Sequence, residues 1–371
     1  MLQNGEIIMK QMKNIIVSVT NECNLSCNYC FASCNKRSIN LNKLNEEFNA
    51  AIPMYVKVIK RVCIENEYNK TQVIFHGGEP LLISVDNYEK LIIQLSQYDI
   101  DYVMQSNGTI MNDKIYNFLI KYGIRLGISL DGPKEIHDAM RVNKNGNSSF
   151  DIVMENIKYL QEKHYKFSCL ATITQNSVGK ENEIYDFFKE NHISFDFNPV
   201  FSVMESGKQG YLIDQNVYAD FTINLFDKWI NAKDNLMIIK FYNIINALVK
   251  NGKPFKKCDC STNCSVFFVA VDNKGDIYNC SRFVGYRDYK LSNAYENDFT
   301  ISKGLNGILN RSDNLRKGEC NNCNIWELCH GGCPYNALEH NGNINSKDYF
   351  CEGKRKIYNH IIAELNKYKR G

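Results

Sequence analysis

The 371-residue sequence lacks any strong excess of one charge. Lys and Arg number 44 against 41 Asp and Glu, so the net charge is only +3 at pH 7. This balance offers no broad basic surface for a polyanion, and it argues against a nucleic-acid partner. The sequence also lacks an apolar run long enough to span a bilayer, and residues 1–13 lack the apolar core of a signal peptide. We therefore expect a cytoplasmic protein with no membrane partner.

Internal repeats and low-complexity tracts are absent as well. An apolar content of 44% is enough for one large domain, or for one large and one small domain. Cysteine, in contrast, is plentiful, with 15 residues. In a reducing compartment these residues are better explained by metal binding or catalysis than by disulfides. Because thiolates are soft ligands, iron-sulfur clusters and zinc are the candidate metals.

The first half of the chain predicts an α/β fold with a parallel sheet. Short β-branched or aromatic runs alternate with longer helical patterns, as in repeated βα units. Six strands are predicted, at residues 14–20, 72–76, 101–105, 125–130, 168–174 and 194–201. Ligands of such sheets gather at the carboxyl ends of the strands, so we expect the functional loops there.

The remaining sequence predicts three further parts after this first domain, which covers residues 13–205. Residues 206–252 form a linker containing two amphipathic helices. Residues 253–352 are rich in cysteine and poor in regular patterns, and 265–280 reads as a hairpin turning at Asp272 to Gly275. A region with so little apolar core needs metal to stay folded. Residues 353–371 predict a basic surface helix.

Three cysteines follow the first predicted strand within one loop: Cys23, Cys27 and Cys30. A closed zinc site takes four protein ligands, whereas a 4Fe-4S cluster held by three thiolates leaves one iron open to an outside ligand. A zinc site completed by a distant residue such as Cys34 is the alternative. The spacing favours the open cluster.

With Tyr29 beside Cys30, this loop resembles the signature of the radical S-adenosylmethionine (SAM) superfamily. The resemblance implies an enzyme with a partial (β/α)6 barrel, whose open iron binds the amino and carboxylate groups of SAM. An electron from the cluster then splits SAM into a 5'-deoxyadenosyl radical, which abstracts hydrogen from C-H bonds. The cofactor supplies this chemistry, and the protein positions the substrate and shields the radical.

Other loops at the predicted strand ends match the same superfamily. The stretch Gly77-Gly78-Glu79-Pro80 has two glycines that let the backbone approach a ligand with free N-H groups, and it resembles the stretch that holds the SAM amino group. The resemblance implies further SAM contacts at four positions: Asn107, Ser129, Asp131 and Arg141. Turn formation and loop salt bridges explain these four residues equally well.

Eight cysteines of the last third of the chain resemble the SPASM extension of radical SAM enzymes. Their spacing alone is equally compatible with a zinc ribbon. The resemblance implies a first auxiliary 4Fe-4S cluster on Cys258, Cys264, Cys280 and Cys333. It implies a second on Cys320, Cys323, Cys329 and Cys351. Together with the SAM-binding cluster, the enzyme would then carry three 4Fe-4S clusters.

Four cysteines belong to none of these sets. Cys63 falls in a helical pattern and Cys169 in a strand, so we expect both to be small buried apolar residues. Cys34 and Cys260 lie near the proposed clusters, where each is a spare thiol, an alternative ligand or a catalytic group.

From Ile15 to Cys351 the chain resembles anaerobic sulfatase-maturing enzymes and maturases of ribosomally made peptides. Both groups act on polypeptides. In the sulfatase branch an Asp thought to be the base follows the hairpin cysteine, but Ser281 stands here, and serine is a poor base. This departure favours a peptide maturase that forms a thioether or carbon-carbon crosslink.

Two other functions stay open. One is the conversion of Cys or Ser to formylglycine in a sulfatase. The other is a non-catalytic zinc or iron-sulfur binding module, which is disfavoured because an open three-thiol site would then serve no purpose.

The resemblance also implies partners. A radical SAM enzyme needs a reducing protein such as flavodoxin or ferredoxin, together with its peptide or protein substrate. Many peptide maturases have an N-terminal leader-binding domain, whereas about a dozen residues precede the first strand here. Substrate recognition then requires a separate leader-recognition protein or the groove between barrel and extension.

Overall fold

The computed structural model describes residues 13–30, 38–65, 70–201, 212–232, 234–249, 264–297, 299, 308 and 310–368. Within these ranges the chain forms one nine-stranded sheet with helices packed against it. Two predicted domain boundaries, 205/206 and 252/253, lie outside the described residues, as do Cys34, Cys258 and Cys260.

Six parallel strands form the first part of the sheet, and they lie side by side in chain order. They are β1 (Lys13–Ser18), β2 (Thr71–His76), β3 (Ile100–Ser106), β4 (Arg125–Ser129), β5 (Phe167–Ile173) and β6 (Phe195–Pro199). The predicted α/β fold with six parallel strands is therefore confirmed, with most strand ends shifted by one or two residues.

Burial alternates along these strands. In β2, Val73 and Phe75 are fully buried, whereas Ile74 and His76, which alternate with them, are only partly buried. Successive side chains of a strand point to opposite faces, so the first pair packs against the helices and the second lines the inner face. The inner face is thus the wall of a partial barrel.

Eight helices accompany this part of the sheet within the described ranges. They are α1 (Leu41–Glu65), α2 (Val85–Ile93), α3 (Asp113–Lys121), α4 (Lys134–Asp138), α5 (Phe150–Glu162), α6 (Glu181–Glu190), α7 (Gln215–Asn231) and α8 (Ile239–Val249). Polar side chains cap several of them. Asn112 accepts from Ile115 N at 3.0 Å, and Asp214 accepts from Asn216 N at 2.8 Å. The two helices predicted between 217 and 250 are α7 and α8.

The predicted hairpin is present and has an unexpected neighbour. Its strands are β7 (Phe268–Val271) and β8 (Asp276–Tyr278), and β9 (Ser292–Asn293) follows β8 at the edge. The Asp272 carboxylate accepts from the backbone N of Lys274 and Asp276 at 2.9 and 2.8 Å, which fixes the turn. β7 pairs in parallel with β1, so the hairpin extends the sheet of the barrel.

The cysteine-rich part contains four short helices, one before the hairpin and three after it, and a long final helix. These helices are α9 (Cys264–Phe267), α10 (Arg311–Lys317), α11 (Trp326–Cys329), α12 (Pro334–Asn341) and the long α13 (Cys351–Tyr368). α13 begins two residues before the predicted basic helix, packs against α7 and buries Ile357 and Ile361. No helix in the described ranges has the length and apolarity needed to cross a membrane.

Candidate active site

The loop after β1 carries the first three cysteines at the carboxyl end of the parallel strands. Cys23 is buried, and its Sγ accepts from Leu25 N at 3.4 Å, whereas Cys27 and Cys30 are partly buried. Two backbone hydrogen bonds tie this loop to the segment after α4. Ser26 N donates to Val142 O at 2.8 Å, and Asn28 N donates to Met140 O at 2.9 Å. The loop is thereby fixed beside Arg141.

The thiols of this loop influence one another electrostatically. The pKa of Cys27 is raised to about 12, mainly by burial; the charge of Arg141 opposes this shift, and the neighbouring Cys30 and Cys23 contribute to it. Metal binding must therefore displace protons from these thiols. No three Cys, His, Asp or Glu side chains in the described ranges already point at a common metal position.

The Gly77–Pro80 stretch packs directly on the cysteine loop. A methyl group on Gly77 would lie 2.3 Å from Thr20 O, and one on Gly78 would lie 2.1 Å from Glu22 O. Only glycine permits this approach. The backbone N-H groups of the two glycines, which were expected to be free, are both used: Gly77 N donates to His76 Nδ1 and Gly78 N to Thr20 O. The next N-H group, Glu79 N, donates to Glu22 O. That expectation was wrong because the second loop braces the first.

The Glu79 carboxylate is enclosed by protein donors. It is fully buried and accepts from Leu81 N and Ser106 Oγ, each at 2.9 Å, and from Asn107 N at 2.7 Å. Burial raises the pKa of Glu79 to about 7, although these three hydrogen bonds oppose the shift. The side chain therefore connects the ends of β2 and β3.

Asp131 is the centre of a second network, after β4. Its carboxylate accepts from Tyr29 OH at 2.6 Å, from Arg141 Nε at 3.0 Å and from Thr172 N at 2.9 Å. The Arg141 guanidinium also lies 5.2 Å from the centre of the Tyr29 ring. Three predicted residues therefore meet at one point, and the orientation of Arg141 is fixed there.

The sequence did not single out Thr172, which belongs to the same network. Its hydroxyl lies 3.5 Å from Arg141 Nη2. It stands on β5 with the side-chain alternation of the inner face, and this period-2 pattern was a signal that could have found it.

Asn107 and Ser129 lie at neighbouring strand ends. Asn107 Nδ2 donates to Asn24 Oδ1 at 2.8 Å and lies 3.6 Å from Cys23 Sγ, so this amide helps to hold the cysteine loop. Ser129 is the last residue of β4 and is partly buried on the inner face. The structure thus brings the predicted residues of the barrel to one end of the sheet.

Three cysteines of the first auxiliary set line one cavity of about 210 Å³, which we call the interdomain cavity. They are Cys264, Cys280 and Cys333. Burial raises the pKa of Cys280 to about 11, and nearby Cys333 adds to the shift. The lining also includes Ile16 of β1 and Asn198 of β6. Asn198 is in register with Thr172, so the interdomain cavity begins beside the Arg141 network.

The four cysteines of the second auxiliary set line another cavity, of about 280 Å³. They are Cys320, Cys323, Cys329 and Cys351. Arg311 lies between the two sets, and its guanidinium donates to four backbone carbonyls: Ile344, Gly332, Gly331 and Ser346. Of the remaining cysteines, Cys169 is 1% exposed on β5, and Cys63 is partly buried on α1.

Comparisons with known proteins agree with this geometry. Residues 17–187 match the family model of the Radical SAM superfamily. The chain is 30% identical to the cysteine-type anaerobic sulfatase-maturating enzyme of Clostridium novyi (strain NT), over 96% of this chain and 97% of the relative. It is 26% identical to the serine-type enzyme of Bacteroides thetaiotaomicron, over 94% of this chain and 89% of the relative.

Solved structures share the fold. Native anSMEcpe with bound AdoMet aligns with a TM-score of 0.76 at 23% identity, over 97% of this chain and 100% of that chain. Streptococcus suis SuiB bound to S-adenosylmethionine aligns with a TM-score of 0.63 at 18% identity, over 92% of this chain and 78% of that chain.

The parallel barrel, the cysteine loop and the family match together define a radical SAM enzyme. Within that superfamily, the chain belongs to the family of its full-length relatives, the anaerobic sulfatase-maturating enzymes. Membership implies SAM and a 4Fe-4S cluster as cofactors, and it makes the protein a maturase that acts on a peptide or protein.

Proposed function

We propose that this protein oxidises a cysteine or serine side chain of a protein substrate to the aldehyde of formylglycine. The observation that carries the proposal is the interdomain cavity, which connects the inner face of the barrel with three thiols of the extension. The relatives named as sulfatase-maturating enzymes, aligned over nearly the whole chain, support it. The comparisons thus favour formylglycine formation over the crosslink that the sequence suggested.

The residues at the strand ends fit SAM and one cluster. Cys23, Cys27 and Cys30 supply three thiolates, and the close approach of Gly77 and Gly78 shapes a backbone surface beside them. When bound, SAM and this cluster supply a radical that takes a hydrogen atom from the substrate. We assign Arg141 to the SAM carboxylate, because the contacts of Arg141 with Asp131 and Tyr29 hold its guanidinium in one orientation.

We further propose two auxiliary 4Fe-4S clusters. Cys320, Cys323, Cys329 and Cys351 surround one cavity and offer the four thiolates that such a cluster takes. Cys264, Cys280 and Cys333 offer three more around the interdomain cavity, and Cys258, outside the described residues, would complete that set. A cluster on this first auxiliary set would adjoin the interdomain cavity, where it would be placed to accept an electron from a bound substrate.

Partners follow from the same chemistry. Peptides are bound in solved structures of similar fold, namely native anSMEcpe with the Cp18Cys peptide and SuiB with the precursor peptide SuiA. We propose that a peptide segment of the substrate enters the interdomain cavity directly, or with the help of a separate leader-recognition protein. Flavodoxin or ferredoxin would supply the electron for SAM cleavage.

The test uses anaerobically purified protein, reconstituted with iron and sulfide and supplied with SAM, a reductant and a cysteine-containing sulfatase peptide. We expect 5'-deoxyadenosine and a peptide that has exchanged its sulfur for oxygen and has also lost two hydrogens, detected by mass spectrometry. Cys27→Ala is the control that should form neither product. SAM cleavage without any aldehyde from sulfatase peptides would contradict the proposal, and protein holding zinc in place of iron would indicate a binding module.

A second candidate function is crosslinking of a ribosomally made peptide. Ser281 favours it, because this residue lines the interdomain cavity at the position where the sulfatase branch was expected to place an acid. A crosslink removes two hydrogens from the peptide and keeps its sulfur. The same mass measurement therefore separates the two functions.

A further inference from the structure

Arg311 is a buried cation at the start of α10, where it is 3% exposed. Within the described ranges its guanidinium donates four hydrogen bonds, and each goes to a backbone carbonyl rather than to a carboxylate. Asp348 acts on Arg311 electrostatically, but its carboxylate forms an ion pair with Lys354 at 2.9 Å and accepts from Cys333 N at 2.8 Å. A buried charge is costly unless an opposite charge compensates it.

The carbonyls that Arg311 binds include those of the segment that joins the two auxiliary sets. Gly331 and Gly332 lie between Cys329 of the second set and Cys333 of the first. Gly331 O accepts from the guanidinium at 2.7 Å, and Gly332 O accepts at 2.8 Å. The φ angles of the two glycines are +88° and +70°, and a methyl group on Gly331 would lie 3.3 Å from Arg311 Nη1. Glycine therefore lets this segment pass close to the guanidinium.

The charge of Arg311 acts on thiols of both sets. Burial lowers the pKa of Arg311, and negative charges that include those of Cys333, Cys264 and Cys329 oppose this shift. Burial raises the pKa of Cys320, and Arg311 is among the charges that oppose that shift. One cation therefore interacts with two thiols of the first set and with two of the second.

Such a cation influences the redox chemistry of a nearby iron-sulfur cluster. A 4Fe-4S cluster held by four thiolates has a net negative charge, and reduction adds one more. A positive charge close by stabilises the reduced form and thus raises the reduction potential. Because the protein interior screens charges less than water does, a buried guanidinium has a larger effect than an exposed one.

We propose that Arg311 is a countercharge shared by the two auxiliary clusters and that it raises the reduction potential of both; this inference rests on the auxiliary clusters of the proposed function. When the substrate radical is oxidised, one electron reduces the oxidised first auxiliary cluster, and the charge of Arg311 favours that transfer. Because the guanidinium interacts with both sets, it stabilises the added electron on either cluster.

The test measures the reduction potentials of the auxiliary clusters by electron paramagnetic resonance at a series of applied potentials. Full-length protein is reconstituted anaerobically and measured without peptide, in the Cys27→Ala background to remove the signal of the SAM-binding cluster. Arg311→Gln should lower both potentials. We expect the ratio of reduced to oxidised cluster at a fixed applied potential to fall at least about tenfold, which corresponds to about 59 mV for one electron. Arg311→Lys keeps the charge and should lower the ratio less.

Arg316→Gln is the matched control. Arg316 is exposed on the same helix and also donates to backbone carbonyls, those of Cys320 and Asn321. Solvent screens its charge, so this variant should change the potentials least. Iron-replete Arg311→Gln protein with unchanged potentials would overturn the proposal, and a shift confined to one cluster would overturn the shared role.

Iron content is measured for every variant, because Gln and Lys at position 311 both break the hydrogen bonds to the four carbonyls. Loss of auxiliary iron from Arg311→Gln but not from Arg311→Lys would support the role of the charge. Loss from both would make Arg311 a purely structural residue and overturn the proposal. Wild-type protein without auxiliary iron would contradict the clusters themselves and the countercharge with them. Since no peptide is oxidised, unchanged potentials leave formylglycine formation intact, and an enzyme that forms no aldehyde can still show the countercharge.

Discussion

The two cysteine-bearing regions of this enzyme are built in opposite ways. In the barrel, three thiols lie within eight consecutive residues of one loop, and a large apolar core and a dense hydrogen-bond network hold that loop. In the extension, seven described thiols are spread from Cys264 to Cys351 and meet only after the chain has folded. A second apolar cluster in the extension contains seven buried residues, and other buried residues of the extension, such as Val269, Ile277 and Phe350, belong to the large core that they share with the barrel.

Because of this difference, bound metal would have a different role in each region. The barrel presents its cysteine loop on a scaffold that folds by apolar burial, so the cluster there is a cofactor. The extension has short helices and only a small apolar cluster of its own, so metal there would supply folding energy. Removing one thiol should therefore damage chemistry in the barrel and structure in the extension.

The largest effect on chemistry is expected for Cys27→Ala. Loss of one of three thiolates should reduce 5'-deoxyadenosine formation to the background rate, with the fold retained because the loop keeps its backbone hydrogen bonds. Iron analysis should show that the remaining iron stays with the extension. Undiminished SAM cleavage would refute the assignment of this loop.

The largest effect on structure is expected for Cys323→Ala. Without this thiol the second auxiliary set has three members, and the extension should lose metal, protease resistance and activity together. Limited proteolysis of the Cys323→Ala and Cys27→Ala variants in parallel compares the two regions directly. A Cys323→Ala enzyme that is soluble, protease-resistant and fully active would contradict a cluster at that position.

A smaller effect is expected for Gly77→Ala, which tests how tightly the barrel loops are packed. The new methyl group would meet Thr20 O at 2.3 Å, and the backbone has a φ of +132°. Gly179→Ala is a matched control, since its φ is +78° and no atom lies within 4 Å of the added carbon. We expect the control to cost about 1–2 kcal/mol and Gly77→Ala about 1–3 kcal/mol more, measured by urea unfolding. Equal losses in the free energy of unfolding for the two variants would show that neighbouring atoms move enough to relieve the clash at Gly77.

The smallest effect concerns the pH dependence contributed by Glu79. Because burial raises its pKa to about 7, the stability that this carboxyl contributes is present below pH about 4.5 and is lost as the pH rises through 7. Glu79→Gln leaves one buried donor unpaired and should cost about 1–3 kcal/mol at pH 5. The gap to wild type should narrow by pH 8 in thermal unfolding. A constant gap would mean that Glu79 does not titrate in this range.

Much of the barrel could be predicted from sequence because its signals are local. The strand patterns, the spacing of Cys23, Cys27 and Cys30, and the glycines at 77 and 78 depend on neighbouring residues. The direction of the backbone N-H groups could not be predicted, since it depends on how closely two distant loops approach. The use of Glu79 as an internal acceptor could not be predicted for the same reason.

The extension was less predictable in its relation to the barrel. Its hairpin was visible at Asp272 to Gly275, but the parallel pairing of β7 with β1 joins residues about 250 positions apart and leaves no mark in either strand. Asn279 and Arg282 were likewise not recognisable as cavity residues, because the cavity also needs lining residues that are distant in sequence, such as Asn198 and Cys333.

The pairing of β7 with β1 also bears on how the chain can be divided. β1 lies between β2 and β7, so a chain that stops before residue 264 would leave the backbone groups along one side of β1 without partners. An uncovered strand of this kind invites pairing with other copies and aggregation. The barrel is therefore not a separable unit. Its first strand needs the extension as a pairing partner, and the active site needs the extension to complete the lining of the interdomain cavity.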